Sequence, residues 1–98
     1  MAFVERTILP GLTAEQYDGL REAVLKDGPL EGELFHVAGP TAEGWCAIDG
    51  WETQEHCDRA MEKWMQAFQD AAISLEGMSP PERFEIHKLY TGAGAATS

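Results

Sequence analysis

The chain has 98 residues, 44% of them apolar, with three Trp, four Phe and two Tyr, which is the make-up of one globular domain with no room for a second core. Seventeen acidic residues against seven basic ones leave a net charge of −10, which repels phosphate backbones and anionic bilayers and so argues against nucleic-acid and membrane partners. No apolar run approaches the ~20 residues of a membrane span. The N-terminus, Met-Ala-Phe-Val-Glu-Arg, lacks a signal-peptide pattern, and Cys46 and Cys57 lack CxxC spacing; the expectation is a cytoplasmic protein with free thiols.

Residues 2–9 are β-branched and aromatic and close on Pro10-Gly11, which predicts a strand and a turn. Thr13-Ala14-Glu15-Gln16 fits a capping box, and Tyr17, Leu20 and Val24 form one apolar stripe, so a helix is expected over about residues 14–26. On that helix Asp18, Arg21 and Glu22 read as a solvated face. A short strand is expected over residues 34–38, a polar turn from Gly39 to Gly44, and a strand from Trp45 to Trp51. Thr53 caps a second helix of roughly twenty residues whose stripe is Cys57, Met61, Trp64, Phe68 and Ala72, a spacing that reads as core packing. Ser79-Pro80-Pro81 makes a rigid connector, and a final strand is expected from Arg83 to Tyr90. The order β-α-β-β-α-β predicts an α+β, ferredoxin-like fold: a four-stranded antiparallel sheet with two helices on one face. The domain is expected over residues 1–90, with 91–98 a flexible tail.

Side chains on a strand alternate between faces. One set (Phe35, Val37, Cys46, Ile48, Gly50, Phe84 and Ile86) is apolar and is expected under the helices. Strand 1 is ambiguous, with Val4 and Ile8 taken as helix-facing. The other set holds Leu34, His36, Trp45, Asp49, Trp51, Glu85, His87 and Leu89. Two Trp are much apolar area to leave in water, while the charged groups are costly to bury unpaired. Aromatic walls with a few polar groups suit a small-molecule cavity, which a second copy of the chain, packed sheet to sheet, would enclose. A homodimer through the open sheet face is therefore expected.

The stretches Pro10-Gly11-Leu12-Thr13, Leu34-Phe35-His36-Val37-Ala38-Gly39-Pro40, Asp49-Gly50-Trp51-Glu52-Thr53 and Glu85-Ile86-His87 carry a resemblance to the dimeric α+β barrel superfamily, in particular to small proteins grouped with antibiotic-biosynthesis monooxygenases. The resemblance spans about residues 3–90 and looks most like a short actinobacterial subgroup without assigned activity. It implies the dimeric barrel fold, and its members include cofactor-free oxygenases of polycyclic aromatics, polyketide cyclases, isomerases and haem-degrading enzymes. In the cofactor-free oxygenases a Trp at the end of strand 3 lines the pocket, which Trp51 matches; the polar residue four positions earlier is Ala47 in this chain, and Asp49 lies between them.

His36 and His87 are candidate general bases, since imidazole exchanges protons near neutral pH. Asp49 is a candidate orienter of one of them, or else a salt-bridge partner of Arg6 or Arg83. Trp51 and Trp45 are candidate stacking walls, with Glu85, Leu34 and Leu89 lining the same face. Tyr17 reads as core, with a hydroxyl able to reach a cavity. No metal-ligand spacing and no phosphate-binding glycine pattern is present, so no metal or cofactor is expected. The function expected is a cofactor-independent monooxygenase, or a cyclase or isomerase with a His base, acting on an aromatic or polyketide-like substrate. A non-catalytic ligand-binding or structural dimer is the alternative.

Overall fold

A computed structural model of the chain describes residues 1–92; most of the expected flexible tail lies outside the described residues. Six elements follow in order: β1 (Phe3–Leu9), α1 (Ala14–Val24), β2 (Glu33–Thr41), β3 (Gly44–Trp51), α2 (Gln54–Asp70) and β4 (Glu82–Glu85). The sheet order is β2-β3-β1-β4 with every neighbouring pair antiparallel, which is the ferredoxin-like arrangement.

The local signals act as their chemistry dictates. Thr13 Oγ1 accepts from the Gln16 amide at 3.1 Å and Gln16 Oε1 accepts from the Thr13 amide at 3.0 Å, so the capping box is complete. Thr53 caps α2 through the His56 amide. The β2–β3 hairpin runs further than expected: Gly39 and Pro40 pair with Cys46 and Trp45, leaving Ala42 and Glu43 as the turn. Pro40 is tolerated there because β2 is an edge strand. A bulge between Glu33 and Phe35 makes Leu34 an extra residue in β2. At the far edge β4 is shorter than the residues 83–90 expected and stops at Glu85.

The orientation of the sheet reverses the expectation. Trp51 is 2% exposed and packs with Leu20, Val24, Cys57, Ala60 and Phe68, so its face of β3, with Ala47 and Asp49, lies beneath the helices. Glu5 and Thr7 of β1 are buried on that side as well. The apolar set is on the outside: Val37 is 54% and Phe84 53% exposed, and Phe35, Cys46, Ile48 and Ile8 are half-buried. Alternation identifies two faces but not which one the helices cover. The desolvation cost that argued against burying the polar set is met here, because its charged members are paired with one another and with the helices. Three sequence expectations fall with the reversal. Cys46 is not a helix-side core residue, Val4 and Ile8 of β1 do not face the helices, and the polar-aromatic face is not the open one.

On the outer face the Phe35 ring lies across Gly50, where a Cβ would come within 2.2 Å of the ring. Gly50→Ala is therefore expected to lower stability by about 1–3 kcal/mol in urea denaturation, with part of the loss recovered in the Gly50→Ala/Phe35→Leu double variant.

Candidate active site

The strand register sets one row of side chains across the whole sheet. His36 pairs with Asp49, Asp49 with Glu5, and Glu5 with Arg83. All four point toward the helices, and each end of the row is taken up by one of them.

At the β2 end, His36 Nδ1 is hydrogen-bonded to Asp49 Oδ1, and His36 Nε2 to the hydroxyl of Tyr17 on α1. A carboxylate only accepts, so Nδ1 carries the proton, and Nε2 is left to accept from the phenol. Asp49 is 7% exposed. Burial pushes the Tyr17 phenol above its ordinary range; the Arg21 guanidinium opposes this and the Asp49 and Glu33 carboxylates reinforce it. Arg21 is not part of a solvated face. Its guanidinium grips Glu33 with two bonds, at 2.8 and 3.0 Å, and this contact raises its own pKa further.

At the β4 end, Glu5 Oε2 accepts from Arg83 Nε at 2.6 Å and from the Cys57 thiol at 3.4 Å, and Arg83 Nη1 continues to Asp58 of α2 at 3.0 Å. Cys57 is buried, and desolvation together with the adjacent Glu5 carboxylate pushes its thiol up to about 12. It is therefore a neutral donor at physiological pH and not a nucleophile.

Between sheet and helices lies a cavity of about 50 Å³. Its floor is Glu5, Thr7, His36, Asp49 and Trp51; its roof is Met61, Trp64, Met65 and Phe68 of α2, closed by Leu75 and Met78. Tyr17 is stacked with His36 and with Trp64, at centroid distances of 5.8 and 6.2 Å, and lies 5.1 Å from Trp45. The indole N–H groups of Trp45 and Trp51 are buried without a hydrogen-bond partner among the described residues. One donor atom each from Glu33, His36 and Asp49 falls within 4.8 Å of the others, but both Glu33 oxygens are engaged by Arg21.

Of the residues singled out in the sequence, His36, Asp49 and Trp51 are brought together at the cavity, and Trp45 stands beside Tyr17. His87 and Glu85 are exposed and not at the cavity, as are Leu89, 50% exposed, and Leu34, 41% exposed on the bulge. His87 and Leu89 lie past the end of β4, where the strand parity that placed them no longer applies. Glu5 and Tyr17 are the residues that strand and stripe reasoning undervalued. Only the register identifies Glu5: it is the cross-strand partner of Asp49, which places both on one face.

Searches against models of protein families and against curated proteins found no match. Solved structures do match. A proposed antibiotic biosynthesis monooxygenase from Chloroflexus aurantiacus superposes with a TM-score of 0.67 at 7% identity, over 93% of this chain and 98% of that one. A variant of SnoaB, a cofactor-independent oxygenase from Streptomyces nogalater, gives 0.51 at 20% identity, over 90% and 93%. Rv0793 from Mycobacterium tuberculosis gives 0.51 at 11% identity, over 94% and 97%. The chain thus has the α+β fold of the antibiotic-biosynthesis-monooxygenase-like proteins, as its sequence resemblance implied.

The buried thiol supplies a measurement of the site's β4 end. An unfolded thiol loses its proton around pH 9 while Cys57 in the fold holds it to about 12, so between these values the unfolded state binds fewer protons. Stability is expected to fall as pH rises through this window, and the fall to be shallower in Cys57→Ala when chemical denaturation is followed from pH 8 to 11.

Proposed function

We propose that this protein is a monooxygenase-like enzyme of small-molecule metabolism that works without an organic cofactor on an aromatic or polyketide-like carbon acid. The observation that carries this reading is the connected chain Asp49–His36–Tyr17, which opens onto a cavity walled by Trp51 and Trp64. Asp49 holds the imidazole in the tautomer whose free Nε2 faces the phenol. As Tyr17 passes its proton to His36, its oxygen takes one from an acidic C–H or phenol of the substrate, and Asp49 stabilises the imidazolium that forms. A phenol is protonated across the neutral range, and burial raises the Tyr17 pKa further, so Tyr17 enters the relay carrying its proton. The substrate anion lies against aromatic faces, with the unpartnered Trp51 N–H available to its oxygen. Reaction of an activated CH₂ anion with dioxygen then replaces CH₂ by C=O and releases water, all electrons coming from the substrate. The cofactor-independent oxygenase among the structural matches supports this choice. The same first step without dioxygen would serve cyclisation or isomerisation, and oxygen uptake separates these outcomes.

With anthrone as carbon acid, oxygen-electrode rates are expected to fall ~10²–10⁴-fold in His36→Ala and Asp49→Asn and comparably in Tyr17→Phe. His87→Ala, altering an exposed residue, is expected to leave the rate unchanged. Oxygen uptake in His36→Ala equal to wild type would remove the proposed base.

The homodimer belongs to the same reading, but through the apolar outer face. Val37, Phe84, Phe35 and Ile48 make a contiguous surface of the kind that marks an interaction site. The cavity is roofed by the chain's own α2 and the segment that follows it, so the partner serves to bury the outer face. Val37→Glu is expected to convert a dimer to a monomer in sedimentation velocity at low micromolar concentration; a monomeric wild type would contradict the assignment.

A further inference from the structure

The cavity beside Tyr17 and His36 is too small for the substrate class just proposed. At about 50 Å³ it holds a water or a dioxygen, whereas pockets for drug-sized ligands begin near ~300 Å³. A second space of about 250 Å³ lies directly outside it. The two have Leu9, Phe68, Leu75 and Met78 in common, so these residues stand between the cavity and the groove. The inner space is lined almost wholly by apolar and aromatic groups around the relay; the outer one adds Gln16, Ser74 and Glu76.

The partition is built to give way. Leu75 and Met78 belong to the segment joining α2 to β4, whose backbone bonds are local: Met78 N–H to the Leu75 carbonyl at 3.2 Å and Glu76 N–H to Ser74 Oγ at 3.0 Å. Among the described residues, moving them breaks no backbone bond of the sheet or of either helix, although Leu75 gives up part of its packing on the core. The segment is flanked by Ala72, at φ +55°, and contains Gly77, at φ +84°. Thioether side chains such as Met78 repack at low cost. With the partition aside, the two spaces make one of about 300 Å³.

We propose that cavity and groove are two halves of one divided binding site, with Leu75 and Met78 as the movable partition. Its ligand is a planar ring system with an uncharged polar arm. The ring enters beside Trp51, and the arm stays in the groove against Gln16 and Ser74. The Gln16 oxygen is used by the helix cap and Ser74 Oγ accepts from Glu76, so among the described residues the Gln16 NH₂ and the Ser74 hydroxyl hydrogen are available to donate. Glu76 and the net charge of −10 select against an anionic arm. The inference rests on the cavity being the substrate site and extends it to a specificity.

Two fluorescent probes test it, 2-naphthol as the ring alone and 2-naphthyl β-D-glucoside as the ring with a neutral polar arm. Each is titrated against wild type, Ser74→Trp, which fills the groove from an exposed position, and Leu75→Ala/Met78→Ala, which removes the partition. The expected result is that Ser74→Trp weakens the glucoside ~10-fold or more while changing naphthol less than ~3-fold, and that the double variant binds the glucoside faster. If naphthol binds and the glucoside does not, or if both respond equally to Ser74→Trp, the groove is not the second half of the site and the divided site is overturned, while ring binding beside Trp51 stands. If neither probe binds wild type or the double variant, the cavity reading falls as well.

Discussion

Two carboxylates, Glu5 and Asp49, face each other across adjacent strands on the buried side of the sheet. Like charges placed so are repulsive, and burial increases the cost. The structure resolves this by pulling them apart. Asp49 is held by His36 toward β2 and α1, and Glu5 by Arg83 and Cys57 toward β4 and α2. The candidate chemistry follows from that division. One end of the row becomes a proton chain ending on Tyr17, the other an ion-paired anchor, and the space between them is the cavity floor. Removing either partner would leave a buried charge uncompensated, so the row is a constraint on the fold as well as on the site.

The element order, the helix caps and the grouping of His36, Asp49 and Trp51 were legible in the sequence because they rest on local rules. Capping boxes, turn residues and alternation act over a few positions. Which face the helices cover was not legible, since it depends on partners distant in the chain. Glu5 meets Arg83 across 78 positions and Cys57 across 52. Without those partners in view, buried acids look too costly, and the apolar set looks like the core. The same blindness left Arg21 as a surface residue when it is the anchor of Glu33. His87 and Leu89 were misplaced for a simpler reason: the last strand is short, and parity was carried past its end; Glu85, paired with Phe3, keeps its face but ends the strand exposed.

The reversal also changes what a second copy of the chain is for. A dimer that encloses the cavity would make binding depend on assembly. With the cavity roofed by α2 and the joining segment, binding and assembly use opposite faces of one sheet. They communicate only through the strands themselves, in which Gly50 carries Phe35 on one side while its neighbours Asp49 and Trp51 face the other.

The bulge at Leu34 has a role that its exposure conceals. On α1, Tyr17 and Arg21 are four residues apart and share a face, while their β2 partners, His36 and Glu33, are three apart. On a regular strand an odd spacing sends two side chains to opposite sides. The inserted residue shifts the phase by one position, so a helix repeating every 3.6 residues and a strand repeating every two meet at both contacts. Leu34 thus acts as a spacer: the bulge it makes lets Glu33 and His36, an odd number of residues apart, share the face of β2 that α1 covers.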